Sequence, residues 1–344
     1  MDTSKAELVQ VRRIYGDGRH NAFTDLLFWK GHYYLTFRTA EAHGLPPNGD
    51  VLVLRSQDLH TWETCARFDT GGDDRDPKLV DAGDQLAVMF GTWYPRWGDG
   101  TRTIPGLSHD LISHVTLSRD GLCWSVPRQV YGGNYWLWRT LSTEEGYWCA
   151  AYHFPVQQDR DCRSIHLLHS PDLLNWTLRC VMKVGGGCGE PALYQPTPNT
   201  LHCVIRAESG TDHSWLGRST APYVEWTWHD LGVMIHAPAV RSVAGRWLVA
   251  GRSRVADLPL GIYPPESGHH TSLWEIRGEG VTHVLTVPSA GDCSYPGLAI
   301  GPEGEVVMSY YSQHERLPLP SQPPVPADVF LAHVRVLPRC SNSE

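Results

Sequence analysis

Short apolar runs alternate with polar turns along the whole chain, and the arrangement of these runs repeats. Each repeat opens with an apolar strand that leads through a tight turn into a second strand. The six opening strands are HNAFTDLLFWKG (20–31), DDRDPKLVDAGD (73–84), NYWLWRTLSTEEG (134–146), GCGEPALYQPTPN (187–199), HAPAVRSVAGR (236–246) and CSYPGLAIGPEGE (293–305). A period of roughly 40 to 60 residues with several strands per period is typical of a β-propeller. The pattern predicts an all-β chain with six blades that begin near residues 20, 74, 135, 188, 236 and 293.

The turns that follow three of the third strands share a further pattern. SQDLHTW, SRDGLCW and SPDLLNW each carry a serine, an aspartate two residues later and a tryptophan four residues after the aspartate. The side chains of Asp58, Asp120 and Asp172 can hold the backbone of these turns while the tryptophans pack between neighbouring sheets. We predict a structural role for all three turns, at the rim of the blades.

The first strand of the chain has no partner in its own part of the sequence. ELVQVRRIYG precedes the first complete repeat, whereas the last repeat ends after three strands with VFLAHVRVL. Pairing the N-terminal strand into the sixth blade closes the ring and removes exposed sheet edges. We expect a single propeller domain over residues 1–344.

Composition narrows the class of protein and of partner. Hydrophobic residues make up 41% of the 344 positions and charged residues only 19%, while Gly, Pro and Trp number 33, 25 and 14. These proportions suit short strands and tight turns better than a helical bundle. The formal net charge is −8 and no basic cluster occurs, which argues against nucleic acid as a partner.

Neither membrane attachment nor metal binding is indicated. The N-terminal MDTSKAELVQVRR has no apolar signal region, and no later run has the length of a membrane span, so a cytoplasmic protein is expected. The nine cysteines form no CxxC pair, which favours neither a disulfide framework nor a zinc site. The HH pair at 269–270 and the GGDDRD stretch lack metal-ligand spacing, so we predict no metal and no cofactor.

Polar and aromatic side chains gather near the starts of the opening strands and the ends of the strands that follow them. Because the opening strands line the central channel, these side chains are expected to meet at one mouth of the channel. The candidates are His20, Asp25, Arg38, Glu41, His43, Arg75, Asp76, Lys78, Trp138, Arg139, Tyr152, Glu190, Arg206, His236, Arg252, Asp292, Tyr295, Tyr310 and His314. Carboxylates, arginines and aromatic rings in one cleft favour a polar or anionic ligand, and a small carbohydrate fits this chemistry.

Two segments resemble the sialidases, which are six-bladed propellers. SYPGLAIGPEGEVVMSY is similar to the tyrosine segment of that family, and GEPALYQPTPNTLHCVIR is similar to its glutamate segment, with Glu190 at the head of a strand and Arg206 sixteen positions later. HNAFTDL, DDRDPKL and SYPGL also resemble the broad group of sialidase-like bacterial proteins. The blade count and the Asp-containing turns agree, so the resemblance covers nearly the whole chain.

The resemblance implies a glycoside hydrolase with a tyrosine nucleophile. A sialidase forms a covalent intermediate on tyrosine, because a ketosidic carbon that bears a carboxylate repels an anionic nucleophile, and a glutamate activates the phenol. Tyr295 and Glu190 match these two positions. Arg206 and Arg252 match two of the three family arginines that bind the substrate carboxylate.

Two family features are missing from their usual places. Ala22 stands where the family has its first arginine, and Arg38 is the candidate replacement from a neighbouring position. In the loop RTAEAHGLPPNGD the aspartate, Asp50, lies next to the third strand. His43 or Glu41 is therefore the candidate substitute for the acid/base aspartate of the family.

A second scheme uses carboxylates without a tyrosine nucleophile. Asp25, Asp76 and Glu190 fall at the starts of three opening strands, in an order that resembles the propeller glycosidases acting on fructosides and arabinosides. Asp25 is then the nucleophile or general base, Asp76 holds sugar hydroxyls and stabilises positive charge, and Glu190 is the general acid. Those families have five blades, which counts against this scheme.

Three functional classes stay open from the sequence. The leading hypothesis is an exo-acting glycoside hydrolase for an acidic or modified sugar, with the catalytic candidates Glu190, Tyr295, Asp25, Asp76 and His43. The candidates for substrate binding are Arg38, Glu41, Arg75, Arg206, Arg252, Trp138, Asp292, Tyr310 and His314. The alternatives are a non-hydrolytic enzyme, such as a lyase or an isomerising enzyme, and a carbohydrate-binding propeller without turnover. The concentration of acids, bases and guanidinium groups favours an enzyme.

Overall fold

The computed structural model describes residues 6–44, 48–94, 110–154, 163–185, 187–208, 210–259 and 268–337. Within these ranges the chain forms 24 β-strands and one three-residue 3₁₀-helix, Val255–Asp257, but no α-helix. The prediction of an all-β chain is confirmed. No helix in the described ranges has the length and apolar character to cross a membrane.

The strands form six antiparallel units of four, each of which runs from the central channel to the outer rim. The innermost strands are β2 (His20–Trp29), β6 (Asp73–Ala82), β10 (Tyr135–Thr143), β14 (Cys188–Tyr194), β18 (His236–Val243) and β22 (Ser294–Ile300). The second strands are β3 (His32–Ala40), β7 (Gln85–Trp93), β11 (Gly146–His153), β15 (Thr200–Ala207), β19 (Arg246–Arg254) and β23 (Val306–Ser312). The third strands are β4 (Asp50–Ser56), β8 (Leu111–Ser118), β12 (Ser164–Ser170), β16 (Trp215–Thr220), β20 (His269–Arg277) and β24 (Asp328–Val336). The outermost strands are β5 (Glu63–Phe68), β9 (Arg128–Val130), β13 (Thr177–Met182), β17 (Thr227–Asp230), β21 (Gly280–Val287) and β1 (Ala6–Tyr15).

The innermost strands contact one another in a closed ring, in the order β2, β6, β10, β14, β18, β22 and back to β2. This arrangement is a β-propeller. The expectation of six separate sheets needs a correction, because Arg139 in β10 pairs in parallel with Ala192 in β14. This pair joins the third and fourth units into one eight-stranded sheet, while four sheets stay separate with four strands each.

The N-terminal strand closes the ring as predicted. β1 pairs antiparallel with β24, from Ala6 opposite Val336 to Tyr15 opposite Val329, which gives the sheet order β1-β24-β23-β22. The sixth unit therefore combines the first strand of the chain with the last three. Because β1 covers the edge of β24, this unit has the same four strands as the others.

The hydrophobic core is divided among the interfaces between neighbouring units. Between the first and second units, Trp29 and Val53 pack in one cluster with Val88 and Phe90, and corresponding clusters fill other interfaces around the ring. Second and third strands such as β3 and β4 are almost wholly buried, whereas outermost strands such as β5 and β13 are largely exposed. Burial on both faces explains why the inner strands read as continuous apolar runs.

The three Asp-containing turns have the geometry that the sequence pattern predicts. Asp58 Oδ1 accepts hydrogen bonds from the backbone N–H groups of His60 and Thr61, both at 2.7 Å. Asp120 and Asp172 accept equivalent bonds from the residues two and three positions later, at 2.7 to 2.9 Å. The tryptophan of each turn belongs to or packs on a cluster between neighbouring units. Every bond of the aspartates in these turns is therefore local.

Candidate active site

Every innermost strand contains one register irregularity near its start, and the six irregularities fall at equivalent positions. The residues at these positions, named here the bulge ring, are Phe23, Asp76, Trp138, Glu190, Ala237 and Tyr295. All of them except Trp138 have a positive φ, between 48° and 63°. A non-glycine residue in this region costs of order 1–3 kcal/mol, and such residues cluster at functional sites. A bulge also re-aims the side chain that it carries.

Tyr295 and Glu190 form the centre of the bulge ring. Tyr295 Oη donates a hydrogen bond of 2.5 Å to Glu190 Oε1. Arg206 Nη1 lies 2.6 Å from the same Oε1 and 3.1 Å from the phenol oxygen. The other carboxylate oxygen, Oε2, accepts a bond of 2.9 Å from the backbone N–H of Ala237. Glu190 is thus held on both oxygens by groups from three other strands.

The surroundings of Glu190 and Tyr295 shift their pKa values in opposite directions. Burial by itself raises the pKa of Glu190, but the Arg206 guanidinium and the hydrogen bond from Tyr295 outweigh it and lower the pKa. Burial and the neighbouring Glu190 carboxylate raise the pKa of Tyr295 well above its usual value. At neutral pH the phenol therefore keeps its proton, and the carboxylate beside it is ready to accept one.

A second hydrogen-bonded group centres on Asp292. Its Oδ1 accepts bonds from Arg252 Nη2 at 3.0 Å and from Tyr311 Oη at 2.7 Å. Its Oδ2 lies 2.9 Å from His20 Nε2 and 2.5 Å from His43 Nδ1. The Arg252 guanidinium is 5.4 Å from the centre of the Tyr295 ring, which places this group beside the bulge ring.

His43 is the exposed member of the Asp292 group. Its side chain is 49% exposed, whereas that of His20 is 1% exposed. The His43 ring meets the Phe23 ring edge-on at 5.3 Å, and Phe23 meets Tyr295 in the same way at 4.8 Å. Because Nδ1 faces Asp292, Nε2 is the nitrogen of His43 that is available to a ligand.

The same group offers three atoms that could ligate a metal. Ligand atoms of His20, His43 and Asp292 all lie within 4.8 Å of one another. A metal-ligating histidine almost always donates its second ring nitrogen to another group. His20 Nδ1 has no hydrogen-bond partner in the described part of the chain. The arrangement therefore fits a hydrogen-bonded acid/base group better than a metal centre.

The structure corrects the expectation for Arg38. This side chain is fully buried, and its Nε donates a bond of 2.8 Å to Asp73 Oδ1. Asp73 Oδ2 accepts a bond of 3.1 Å from Arg75 Nη1. The Arg75 guanidinium lies 4.8 Å from the centre of the Phe23 ring. Arg75, which is one residue before Asp76 of the bulge ring, is therefore the third guanidinium beside Tyr295, and Arg38 supports it through Asp73.

The structure also corrects the role expected for Asp25. Its Oδ1 accepts a bond of 2.7 Å from Arg139 Nη1, and its Oδ2 accepts a bond of 2.8 Å from the backbone N–H of Leu79. Both oxygens are thus committed to the scaffold, two residues beyond the bulge ring. This does not support the scheme in which Asp25, Asp76 and Glu190 act as a catalytic set, since the bonds from Arg139 and Leu79 occupy both oxygens of Asp25.

Asp76 and Lys78 lie next to the centre of the site. Asp76 belongs to the bulge ring, and its Oδ1 has no hydrogen-bond partner among the described residues. Burial raises the pKa of Asp76, although the Lys78 ammonium opposes the shift. Lys78 is 1% exposed and lies 4.6 Å from the centre of the Trp138 ring, and burial lowers its pKa to about 8.

Three further candidates lie outside this cluster of charges, and a fourth, His236, borders it as the residue before Ala237 and the strand partner of Arg252. Tyr310 is buried in the cluster between the fifth and sixth units, where its hydroxyl donates to Pro288 O at 2.9 Å. The His314 ring lies 4.6 Å from the Phe330 ring. Glu41 is exposed, and its carboxylate makes no hydrogen bond or ion pair within the described ranges. His236 Nε2 lies 3.0 Å from a backbone carbonyl, and burial lowers its pKa to about 3.

An aromatic wall extends from the bulge ring along the third unit. Trp138 lies 6.1 Å from Tyr295 and 6.0 Å from Tyr152, measured between ring centres. Tyr152 stacks on Trp136 at 6.0 Å, and Trp136 contacts Trp93 at 5.7 Å. Trp138, Trp136 and Tyr152 are only 0%, 3% and 6% exposed, so these rings pack the wall around the bulge ring, and the substrate contact expected for Trp138 needs a correction.

Sequence reasoning missed the residues that hold Arg206 in place. Arg206 Nη2 donates to Glu208 Oε1 at 2.6 Å, and Arg163 Nη1 donates to Glu208 Oε2 at 2.6 Å. Glu208 could have been found, because it directly follows β15 and lies two positions after Arg206, the spacing at which side chains of extended backbone share a face. Arg163 carries no comparable signal.

The bulge ring also had an unused signal in the sequence. Proline follows the ring residue in four of the six strands, in Asp76-Pro77, Glu190-Pro191, Ala237-Pro238 and Tyr295-Pro296. A proline cannot donate to a neighbouring strand, and inside sheets it is confined to edges, strand starts and bulges. Four such dipeptides at one position of the repeat indicate the bulges directly.

The fold has counterparts among solved structures. No protein-family model matches the chain, and no curated protein matches it. A protein of unknown function from Dyadobacter fermentans is similar over 96% of this chain and 99% of its own, with a TM-score of 0.77 and 19% identity. Trypanosoma rangeli sialidase is similar over 91% of this chain (TM-score 0.65, 14% identity) and the phage phi92 endosialidase over 97% (TM-score 0.63, 11% identity).

These likenesses show a sialidase-like β-propeller fold. The similar region is 55% of the length of the T. rangeli sialidase and 70% of that of the phage endosialidase. At identities of 11 to 19% they carry the fold alone. The function has to be argued from the site.

Proposed function

We propose that the chain is an exo-acting glycoside hydrolase for a carboxylated sugar, with Tyr295 as its nucleophile. One observation carries the proposal: Tyr295 Oη donates a bond of 2.5 Å to Glu190 Oε1, and Arg206 Nη1 contacts both groups. A nucleophile within hydrogen-bond reach of its base, with the base oriented by a third group, is the arrangement of covalent catalysis. The site lies near the starts of the inner strands β14 and β22.

Three guanidinium groups support an anionic substrate. Arg206 contacts the Tyr295 hydroxyl, Arg252 lies 5.4 Å from the Tyr295 ring, and Arg75 lies against Phe23, which packs on the same ring. Burial lowers the pKa of Arg252, but the Tyr311 phenol and Asp292 outweigh it and raise the pKa. Guanidinium groups bind carboxylates through paired, charge-assisted hydrogen bonds. A carboxylate next to the reacting carbon also explains a neutral phenol in place of an anionic nucleophile.

The first chemical step transfers the sugar to Tyr295. The phenol oxygen attacks the anomeric carbon while its proton moves to Glu190 Oε1, and the bond from the anomeric carbon to the leaving oxygen breaks. His43 Nε2 gives a proton to that oxygen, with Asp292 holding the opposite ring nitrogen at 2.5 Å. Arg206, which bonds to Glu190 and to the phenol, stabilises the negative charge that moves between them.

The second step returns the enzyme to its first state. His43, now without its proton, takes a proton from a water molecule that attacks the anomeric carbon. The bond to Tyr295 breaks, and Glu190 returns its proton to the phenol oxygen. Asp76, whose Oδ1 has no partner among the described residues, is placed to bind a sugar hydroxyl. The T. rangeli sialidase has been solved in complex with sialic acid, which supports a sugar acid as the first substrate class to test.

The test is release of 4-methylumbelliferone from a panel of glycosides between pH 4 and pH 8. Sialic acid, uronic acid and neutral glycosides are offered to the wild type and to Tyr295→Phe and Glu190→Gln. We expect cleavage of a carboxylated glycoside by the wild type and none by either variant. Tyr310→Phe is the matched control, because it removes one buried phenol hydroxyl away from the site.

Other results of the same panel overturn the proposal. Activity that is lost in Glu190→Gln but kept in Tyr295→Phe excludes the tyrosine nucleophile. Calorimetric binding of a sugar without release of any fluorophore favours a binding propeller. A product with a new double bond, detected by its ultraviolet absorbance, favours a lyase.

A further inference from the structure

A separate cavity lies behind the bulge ring, deeper in the central channel. It has a volume of about 260 Å³ and is lined by residues of all six innermost strands. The lining begins one to three positions after the bulge ring in each strand, for example at Asp25 after Phe23 and at Ala192 after Glu190. Neither Tyr295 nor Glu190 lines it. The cavity therefore excludes the central pair of the candidate active site, although Lys78, which lies next to that pair, lines it.

Arg139 separates the two compartments. Its Nε donates to Pro238 O at 2.9 Å, its Nη2 donates to Pro296 O at 2.5 Å, and its Nη1 donates to Asp25 at 2.7 Å. These acceptors belong to the fifth, sixth and first units, so the side chain crosses the channel from the third unit. Along the channel axis, the Arg139 side chain therefore stands between a ligand in the cavity and the groups of the bulge ring.

The charges that line the cavity are unevenly partnered. Asp25 is fully used by Arg139 and the Leu79 N–H, and Asp81 accepts a bond from its own turn at Gly83. Arg241 also lines the cavity and is only partly exposed. Its guanidinium makes no hydrogen bond or ion pair with any described residue. Burial lowers its pKa, although the nearby charges of Asp25 and Asp81 oppose the shift.

Lys78 is the second cation with spare donors at this cavity. It is 1% exposed, and the hydrogen bond of its ammonium is to the adjacent Pro77 carbonyl, at 3.3 Å. Removing a cation from water is costly unless hydrogen bonds or a counter-charge replace the lost solvation. Three cations, Lys78, Arg139 and Arg241, line the cavity against two carboxylates, Asp25 and Asp81, and this excess of positive charge favours an anionic ligand.

The remaining walls define the rest of the ligand. They are apolar, and the residues that provide them are Leu26, Leu27, Leu79, Val80, Leu141, Leu193, Val240 and Leu298. The volume is slightly below the roughly 300–1,000 Å³ of pockets for drug-sized ligands. We infer that this cavity is a second binding site, for a small organic carboxylate whose charged group meets Arg241 and whose short apolar part fills the channel.

The experiment is calorimetric titration of the full chain with sodium butyrate, and with inorganic phosphate in a parallel series. We expect butyrate to bind, and we expect its affinity to fall at least about tenfold in Arg241→Gln, which is the loss of one charge-assisted contact. Arg128→Gln is the matched control, since it removes the same charge from an exposed position on β9. Unchanged butyrate affinity in Arg241→Gln, or phosphate affinity as high as that of butyrate, overturns the assignment.

Two further variants separate this site from the active site and from misfolding. The guanidinium groups beside Tyr295 also attract carboxylates, so the butyrate titration is repeated with Arg75→Gln. We expect this variant to bind butyrate with the affinity of the wild type, because Arg241 is unchanged. Arg241→Lys keeps the charge and is expected to retain binding within a few-fold of the wild type. Loss of binding in Arg75→Gln overturns the inference, because it moves the bound butyrate to the active site. The inference does not depend on the proposed hydrolase activity.

Discussion

This propeller has one set of carboxylates in the Asp-containing turns at the rim and another in the bulge ring at the channel mouth. The two sets differ in where their hydrogen-bond partners lie. Asp58 and Asp120 accept bonds from backbone N–H groups two and three residues away, and these bonds lower the pKa of each to about 2. Glu190 has a lowered pKa too, but its partners Arg206, Ala237 and Tyr295 come from other strands.

This difference indicates that the rim turns contribute to stability and that the bulge ring contributes to chemistry. A turn with local bonds forms wherever its short sequence occurs, and its loss affects one connection between two strands. The bulge ring forms only when six strands have reached their places, and it keeps five residues at positive φ. Strain of this kind persists where the surrounding structure enforces it, which is typical of functional sites. We therefore expect changes at the mouth to affect turnover and changes at the rim to affect unfolding.

The largest effect is expected from Tyr295→Phe. Removing the nucleophilic oxygen lowers kcat by at least about 10³-fold, the scale seen when a catalytic nucleophile is deleted. The ring stays in its contacts with Phe23 and Trp138, so Tm changes little. Steady-state kinetics and thermal unfolding of the same preparation check both parts. If Tyr295→Phe lowers Tm and keeps its turnover, the bulge ring serves stability and not turnover, which contradicts the comparison.

Arg38→Gln is expected to lower the free energy of unfolding by about 1.5–3 kcal/mol, because buried Asp73 loses the charge-assisted bond from Arg38 and keeps only Arg75 as a charged partner. Arg38 and Asp73 are both fully buried. Denaturant titration measures the change. Arg55→Gln serves as the control, since it removes an exposed pair with Glu63 that is worth about 0–1 kcal/mol. Equal losses in the two variants contradict the support assigned to Arg38.

Arg75→Gln is expected to raise KM for a carboxylated glycoside by about 10- to 100-fold, the value of one or two charge-assisted hydrogen bonds. The Arg75 side chain is 13% exposed, so its loss costs less stability than that of Arg38. Kinetics on a neutral glycoside provide the comparison, because no carboxylate is present to lose a partner. A similar rise in KM for both substrates rules out carboxylate binding by Arg75.

Asp172→Ala is expected to lower the free energy of unfolding by about 1–2 kcal/mol, since two backbone N–H groups lose their acceptor. Combining it with Asp120→Ala should give the sum of the two single losses, because the turns belong to different units. Denaturant titration of the single and double variants tests this. A clear departure from additivity means that the rim turns are coupled, which the local bonds do not allow.

The smallest effect concerns acid stability. The pKa of Asp120 is lowered to about 2 in the folded chain, so its contribution is present above the ordinary value of 3.8 and is lost as pH falls through about 2. Tm of the wild type should therefore fall between pH 4 and pH 2 more steeply than Tm of Asp120→Asn. Parallel slopes in this window contradict the linkage. Glu190, whose pKa is also lowered, should remain an active base below pH 4.5.

The sequence by itself determined the repeats, the turns and part of the site. Apolar periodicity and Ser-x-Asp turns depend on neighbouring residues, so they indicate strands and rim without knowledge of the whole. The starts of the inner strands carried Glu190 and Tyr295, and the ends of the next strands carried Arg206 and Arg252, so the closed ring was enough to bring these four side chains near one mouth.

Only the tertiary structure decided which charged group serves which partner. Asp25 is held by Arg139, 114 positions later, and His43 by Asp292, 249 positions later. Arg38 and Arg75 share Asp73 on opposite oxygens, which no pattern in the sequence distinguishes. The head of a long side chain is placed by the register of distant strands and by competition among several counter-charges. Strand register and the choice among counter-charges depend on the closed ring, whereas strand and turn signals depend on a few adjacent residues.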